Sequence, residues 1–262
     1  IALILTFGIS IYFKRSLGLY GRLFDSVIGM VGFTLVMFWV YTAAFTGIFD
    51  LISTHDPLTQ ISGMKNKVPG TAVSNVQDGV YEYYLLGGDN LARDVFSRVI
   101  KGSTIVIAIA PFATLFAYMV GITLGLPAGY YGGRLDTFLS FAANLILAFP
   151  VILLFYLLVT PEIALVGIPA YMAAALFIFP LIFLAMLLNS KFETRPNVRT
   201  PVLFIVLGIG LLIYLSAISD TNRDTVVDFI PSGLDLFDVD PEILIVFVSV
   251  VFVNSPTIFR IV

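Results

Sequence analysis

Residues 86–102 read LGGDNLARDVFSRVIKG and lead directly into an uncharged apolar run at 104–126. Apolar side chains recur at helical spacing on one face of this stretch, and polar side chains occupy the other face. The apolar set is Leu91, Val95, Phe96, Val99 and Ile100, and the polar set is Arg93, Asp94, Ser97, Arg98 and Lys101. The pattern predicts an amphipathic helix, capped by Asp89 or Asn90, that lies at the membrane interface before a spanning helix.

The bulk composition is that of an integral membrane protein. The 262 residues are 59% hydrophobic and only 12% charged, and the mean hydropathy is +1.01. A net charge of -3 without a basic cluster argues against a nucleic-acid partner. The chain has no cysteine, so disulfides, thiolate metal sites and cysteine nucleophiles are excluded. His55 is the only histidine, which leaves no basis for a catalytic triad or a histidine zinc motif, and we interpret it as an ordinary loop residue.

Six charge-free runs are long enough to cross a bilayer as helices. They are residues 26–49, 104–126, 137–160, 163–190, 200–219 and 243–259. Because a charge at the bilayer centre costs roughly 2.5 to 3.5 kcal/mol on insertion scales, these runs predict an all-α, polytopic transmembrane helix bundle. Residues 1–13 are apolar but too short to span, and we expect them to be the tail of a further spanning helix.

The distribution of basic residues predicts the orientation of the chain. With the connection at 14–25 in the cytoplasm, eight basic residues lie inside: Lys14, Arg15, Arg22, Arg134, Lys191, Arg195, Arg199 and Arg260. The short loop at 189–200 carries three basic residues, whereas the loop at 220–242 carries only Arg223. By the positive-inside rule, residues 50–103 are then external.

Few side chains inside the predicted spans are candidates for function. Asn144 and Asn254 are expected to form interhelical hydrogen bonds, although they could instead line a path for a polar solute. Five prolines within the spans predict kinks: Pro111, Pro150, Pro169, Pro180 and Pro256.

An acidic loop follows the fifth predicted span. Asp220, Asn222, Asp224 and Asp228 reproduce the first half of a calcium-loop spacing. Thr225 stands where that loop needs glycine, and Pro231 stands where it needs glutamate, which favours a solvated loop over a metal site.

Several motifs together resemble one family. Residues 86–98 resemble the external motif L-G-T-D-x-L-G-R-D-x-x-S-R of inner-membrane permeases, of the C type, from ABC importers for dipeptides, oligopeptides and nickel. Asp56-Pro57 resembles the pair that follows the family's first span. Residues 128–136, AGYYGGRLD, resemble its cytoplasmic loop A-G-Y-x-G-G-x-x-D, and residues 147–150 resemble its L-A-F-P. Residues 256–262, PTIFRIV, are similar to the segment W-P-x-Y-A-R-x-V that leads into the ATPase-coupling loop.

The chain also departs from the family pattern. Gly88 and Ala92 replace a threonine and a glycine of the external motif, and Ser255 replaces a tryptophan. Residues 161–242 contain two extra spans where the family has a short connection. The chain opens on Ile1, and the coupling loop is expected beyond Val262, so we expect a permease fold that is incomplete at its C-terminus.

The resemblance implies a domain organisation. Residues 1–25 would be a hydrophobic segment with a basic cytoplasmic connection, 26–49 the first complete span, and 50–103 an external segment. Residues 104–160 would be two core helices, 161–242 an inserted hairpin with an acidic external loop, and 243–262 a core helix leading to the coupling loop.

The resemblance further implies a non-enzymatic permease subunit in the inner (cytoplasmic) membrane of a bacterium. Expected partners are a second homologous permease, two cytoplasmic ATPases that hold ATP and Mg, an external solute-binding protein and membrane lipid. No cofactor is expected on this chain. The implied site residues of the external motif are Gly87, Asp89, Leu91, Arg93, Asp94, Ser97 and Arg98. Those of the cytoplasmic loop are Gly129, Gly132, Gly133 and Asp136, and Arg260 lies near the coupling region. The candidates for helix kinks or for lining the path are Asn144, Pro150, Asn254 and Pro256.

We further hypothesise that Asp94 and Arg98 pair on the wet face of the external helix, beside the mouth of the path. Two other interpretations remain open. One is a secondary transporter or channel, although the spans lack the ionisable residues that ion coupling needs. The other is a membrane-embedded scaffold or enzyme.

Overall fold

The computed structural model describes residues 1–18, 20–74, 81–160, 162–163, 166–221 and 241–262. The chain divides into two compact units, Ile1–Ala108 and Ile109–Val262. Among the described residues, five helices are long and apolar enough to cross a membrane, and a bent pair of helices is a sixth candidate. The prediction of an all-α, polytopic fold is confirmed.

The first unit begins with two apolar helices whose connection contains a 3-10 helix. Helix α1 is Ala2–Tyr12, a 3-10 helix is Tyr20–Asp25, and α2 is Val27–Gly47. Ser26 caps α2, since its Oγ accepts the backbone N–H of Gly29 at 3.0 Å. The predicted span at 26–49 corresponds to α2, which is long and apolar enough to cross a membrane.

The external segment contains a small sheet that the sequence pattern did not predict. Strands β1, Thr71–Ala72, and β2, Tyr83–Tyr84, pair antiparallel. Met64, Val73 and Tyr84 form a buried cluster beside this hairpin. This small core allows the described residues of this segment, 50–74 and 81–94, to pack together outside the predicted spans.

Helix α3 runs without interruption over Val95–Tyr131. The predicted helix start at Asp89 or Asn90 is wrong, as is the predicted division between an interfacial helix and a separate span. The Asp89 carboxylate accepts the backbone N–H groups of Leu91 and Arg93, which folds this part of the chain into a turn. Asp94 instead starts the helix, because its carboxylate accepts the N–H groups of Phe96 and Ser97.

The second unit continues with a bent pair, α4 at Gly133–Ala148 and α5 at Val151–Val159, whose axes differ by 83°. The predicted span at 137–160 is therefore not one straight helix, and the bent pair is either a broken span or a re-entrant loop. Phe149 and Pro150 are both extended, with ψ of 134° and 116°. Proline disfavours the helical conformation of the residue before it and has no N–H to continue the helix, so the chain bends here.

Three long helices complete the second unit: α6 at Ile168–Lys191, α7 at Pro196–Thr221 and α8 at Pro241–Ile261. They match the last three predicted spans. The core of this unit combines side chains of α3, α6 and α8, namely Ala113, Val120, Ala173, Leu176, Phe177, Val248 and Val251. Helix α6 lies within residues 161–242, the predicted insertion. That stretch therefore contributes side chains to the core of this unit.

Two glycines bring α3 and α8 into close contact. A methyl group on Gly121 would lie 2.6 Å from Cγ2 of Ile258, and one on Gly125 would lie 3.1 Å from Cβ of Val262. Small residues allow two membrane helices to approach this closely, and dispersion contacts then stabilise the pair.

Candidate functional site

The external motif is organised around Asp89. Its Oδ2 accepts from Nε of Arg93 at 2.9 Å and from Nη1 of Arg98 at 2.6 Å. Its Oδ1 accepts the backbone N–H groups of Leu91 and Arg93. The hydrogen bond from the Arg93 N–H, followed by that from Leu91 and the Arg93 guanidinium, lowers the pKa of Asp89 to about 2. One carboxylate therefore holds the turn and both motif arginines together.

Asp94 has a different role from the one predicted. It is fully buried, and its Oδ2 accepts from Oγ of Ser97 at 2.6 Å and from Oγ1 of Thr54 at 2.8 Å. The predicted pair of Asp94 with Arg98 on a wet face is wrong, because Arg98 binds Asp89 instead. Asp94 ties the start of α3 to the loop at 54–55.

His55 and Tyr84 complete this buried cluster. Nδ1 of His55 lies 3.2 Å from Oδ2 of Asp94, and its ring packs edge-on against Tyr84 with centroids 4.9 Å apart. The hydroxyl of Tyr84 donates to the carbonyl of Ala92 at 3.1 Å. Burial raises the pKa of Tyr84, and the Asp94 and Asp89 carboxylates raise it further. His55 lies in a loop, as predicted, but it is buried against the motif.

The glycines of the external motif allow close backbone contacts. Gly87 has φ +81°, and a methyl group there would lie 2.2 Å from the carbonyl oxygen of Lys67. A methyl group on Gly88 would lie 1.9 Å from the carbonyl oxygen of Met64. No side chain fits at position 88, so the departure from threonine at this position follows from the local packing.

Ala92 adopts φ +63°, a left-handed conformation that costs a residue with a Cβ about 1 to 2 kcal/mol. Ala92→Gly is expected to stabilise the external segment by at most about 1 kcal/mol, since relieved strain outweighs the lost methyl contact. Ala92→Val is expected to destabilise it by roughly 2 kcal/mol. Hydrogen exchange over residues 54–94 of the full-length protein measures both effects. Leu91→Val, at an exposed neighbour, is the matched control, and equal effects of the two valine substitutions would contradict the explanation.

The lowered pKa of Asp89 predicts how the external segment responds to acid. The ionised carboxylate stabilises the fold above pH 4, where an unfolded aspartate is also ionised, and this stabilisation disappears as the pH falls from about 4 to about 2. Protease resistance of residues 50–103 in the full-length protein should therefore decline over this range. In Asp89→Asn, which cannot ionise, the decline should be reduced; an identical pH profile in both proteins would refute the prediction.

The cytoplasmic motif is a tight link between two helices. Gly129 lies in the last turns of α3, Gly132 is the single residue between α3 and α4, and Gly133 begins α4. Gly132 has φ 60° and ψ -154°, a combination that is essentially restricted to glycine. Asp136, in the first turn of α4, accepts from Oγ of Ser140 at 3.1 Å. The glycines permit the sharp reversal, while Asp136 stays exposed.

The structure brings the two cytoplasmic motifs together. Ala128, near the end of α3, and Ala143, on α4, form a buried cluster with Phe259, near the end of α8. Arg260 is exposed in the last turn of α8. Residues 128–133 and 256–262 therefore lie together at one end of the second unit, the end predicted to be cytoplasmic, with an arginine on its surface.

The kink and path candidates do not converge on a single site. Asn144 is exposed on α4, and Asn254 is exposed on α8, where its Nδ2 donates to the carbonyl of Val250 at 2.8 Å. Pro150 lies at the bend between α4 and α5, whereas Pro256 is buried within α8. No interhelical hydrogen bond of either asparagine is present among the described residues. Within the described ranges no cluster of possible metal ligands is found, and the calcium-like spacing at 220–228 lies outside them, apart from the backbone of Asp220.

Sequence reasoning missed the contribution of Thr54, His55 and Tyr84 to the external site. The one available signal was the position of Thr54 and His55 directly before Asp56-Pro57, a pair that the family resemblance had singled out. Tyr84 stands two residues before the external motif, but no periodicity marks it as buried.

Parts of the chain are similar in sequence to transport permeases. The chain is 42% identical to the glutathione transport system permease protein GsiD of Pectobacterium atrosepticum over 79 residues, 30% of this chain and 26% of that protein. It is 37% identical to the dipeptide transport system permease protein DppC of Alkalihalophilus pseudofirmus over 106 residues, 40% and 34% of the two chains. It is 28% identical to the oligopeptide transport system permease protein OppC of Bacillus subtilis over 149 residues, 55% and 44% of the two.

These matches cover 26% to 44% of the length of the three relatives. No family model matches the chain, and no solved structure matches it. The resemblance to peptide-importer permeases that the motifs predicted is confirmed by the relatives. Together with the five apolar helices, it makes the chain part of a multi-pass protein of the bacterial inner membrane.

Proposed function

We propose that the chain is part of a transmembrane permease subunit of an ATP-driven importer and that it forms part of the path for peptides or similar small polar solutes. The observation that carries this proposal is the similarity to permeases named for glutathione, dipeptide and oligopeptide transport. Glutathione is itself a short peptide, so the three names agree on one class of solute. An external binding protein would deliver that solute.

The external segment supports this role because its motif residues are held in a folded arrangement. Asp89 and Asp94 anchor a folded segment on the start of α3, so a surface of defined shape stands on the side where solute arrives. Such a surface suits the docking of a binding protein, because a preorganised partner loses less conformational entropy on association.

The cytoplasmic end of the second unit suits coupling to an ATPase. Arg260 is exposed beside the cluster of Ala128, Ala143 and Phe259. Because Gly121 and Gly125 leave no space between α3 and α8, a displacement of the end of α8 is passed directly to α3. Alternating access requires such a connection between partner ATPases and the helices that line a path.

The chemistry of ATP hydrolysis belongs, in this proposal, to two partner ATPases that bind ATP and Mg. The permease residues would bind, orient and move, with a second homologous permease completing the path. The predicted spans contain no ionisable residue that could couple an ion gradient to transport.

Uptake measurements test the proposal. The full-length protein, expressed with its partner permease, ATPases and binding protein in a strain without peptide uptake, should restore accumulation of radiolabelled dipeptides. Accumulation should stop when the nucleotide-binding lysine of the ATPases is replaced. Uptake that survives this replacement would point to a secondary transporter or channel, and an assembled complex that moves no peptide would point to a scaffold.

A further inference from the structure

The turn between α6 and α7 carries a group of basic side chains that the proposed transport path does not use. We call Lys191, Arg195 and Arg199 the hairpin basic cluster; Glu193 is the one acidic residue among them. The turn is compact, because the N–H of Glu193 donates to the carbonyl of Ser190 and the N–H of Arg195 donates to the carbonyl of Phe192. The three cations are thus held within one short reversal at the end of two long apolar helices.

None of these three cations has a carboxylate partner within the described part of the chain. Lys191 has one other contact, because its Nζ lies 5.8 Å from the ring centroid of Phe192. By contrast, Lys14 in the other basic turn forms an ion pair with Asp25. Among the described residues, the hairpin basic cluster is consequently a concentration of positive charge that no ion pair neutralises.

An apolar stripe continues from this cluster along α7. Val198, Ile205, Ile209 and Leu212 recur at helical spacing after Arg195, and all four are exposed, from 42% to 60%. The span of α7, Pro196–Ser219, has 24 residues, which at ~1.5 Å per residue exceeds the ~30 Å hydrocarbon core. Ile205, Ile209 and Leu212, which follow Arg199 along α7, therefore lie at the depth of lipid acyl chains, with the cations and Val198 at headgroup level.

We infer that this surface binds an anionic phospholipid of the cytoplasmic leaflet. The guanidinium groups of Arg195 and Arg199 and the ammonium of Lys191 contact the phosphate headgroup, and the acyl chains lie along the α7 stripe. Guanidinium groups match phosphate geometry and form charge-assisted hydrogen bonds with it. Basic residues beside a spanning helix are attracted to anionic lipid surfaces.

Two features favour a lipid over other anions. A soluble phosphate would use the cations alone and gain nothing from the exposed stripe on α7. An acidic protein surface would match the charge but would not cover an apolar stripe inside the bilayer. Only an amphipathic anion uses both the cations and the apolar stripe. This lipid site is independent of the solute that the permease carries.

Lipid binding to the full-length protein in detergent tests the inference. Phosphatidylglycerol should remain bound in native mass spectrometry and raise the thermal unfolding midpoint, while phosphatidylcholine and inorganic phosphate should do neither. The triple variant Lys191→Gln, Arg195→Gln, Arg199→Gln should bind phosphatidylglycerol at least about tenfold more weakly. Restoring charge at position 195 alone, with lysine, should recover part of the binding.

The matched control is Arg15→Gln with Arg22→Gln, two exposed basic residues in the other predicted cytoplasmic turn, which also lack ion pairs in the described ranges. The control should keep the affinity of the unmodified protein. An equal loss in both variants would show a general charge effect and overturn the inference. So would retention by inorganic phosphate, or a triple variant that keeps its lipid but loses its ATPase partner.

Discussion

Asp94→Ala is expected to destabilise the external segment by about 3 to 5 kcal/mol, the largest effect of any single substitution in this part of the chain. Asp94 is fully buried, and its carboxylate accepts from Thr54, Ser97 and the ring nitrogen of His55. Alanine removes the shared acceptor, so the buried ring nitrogen of His55 loses its partner, and the hydroxyls of Thr54 and Ser97 keep only their mutual contact at 3.0 Å. It also removes the cap of α3, so the first turn of that helix should fray.

Hydrogen exchange resolved by peptide is the appropriate measurement, because the effect is local. In the full-length protein, protection at 54–64 and 84–98 should collapse, while protection of α6 and α8 should persist. Asp94→Asn keeps the shape of the side chain and one acceptor oxygen. It should therefore lower the free energy of protection from exchange by about half as much as Asp94→Ala does. Asp136→Ala, which removes an exposed carboxylate with a single side-chain hydrogen bond, is the control. Comparable losses from Asp94→Ala and Asp136→Ala would show that the buried network contributes little.

Gly121→Leu is expected to disrupt the second unit, at a cost of about 2 to 4 kcal/mol. A Cβ at this position would lie 2.6 Å from Cγ2 of Ile258 and 3.0 Å from the backbone nitrogen of Phe259. The backbone atom cannot rotate away as a side chain could, so α3 and α8 must separate. Separation would also loosen the cytoplasmic cluster around Phe259 and should reduce transport coupled to the ATPases.

Gly208→Leu supplies the matched control for this substitution. Gly208 also lies within a spanning helix, but nothing approaches its Cβ position within 4 Å. Leucine there should be neutral or slightly stabilising, because it has the higher helix propensity. The thermal unfolding midpoint of the full-length protein in detergent, together with uptake rates, compares the two variants. If both glycines tolerate leucine equally, the close α3–α8 contact does not exist in the membrane.

The departures from the family motif illustrate what a pattern can and cannot report. Gly88 stands where the family motif has threonine, and the carbonyl of Met64 leaves no room for a side chain at this position. Ala92 stands where the motif has glycine, and it keeps a left-handed conformation that glycine adopts readily. In both cases the reason is a backbone contact or angle, which residue types at fixed spacing do not reveal.

The sequence alone determined that the chain is a helical membrane protein, where most of its spans lie, and which relatives it resembles. Lipid offers no partner to a backbone N–H or carbonyl, so a long charge-free run has to satisfy its own hydrogen bonds as a helix, whatever surrounds it. Composition along the chain is therefore enough to locate such segments. The start of α3 and the bend at Pro150 were harder to predict from the sequence, because each depends on how one or two residues satisfy the hydrogen bonds of nearby backbone groups.

Only the tertiary structure decided the partners of the charged residues. Both Asp89 and Asp94 stand within reach of Arg98 along the sequence, and helical spacing favoured Asp94. The fold reversed this choice: Thr54 and His55, some forty positions earlier in the chain, bury Asp94 and leave Asp89 to the arginines. The contact between residues 128–133 and residues 256–262 likewise arises only in the tertiary structure. Contacts between distant segments follow from how helices pack together, and a local pattern contains no record of that packing.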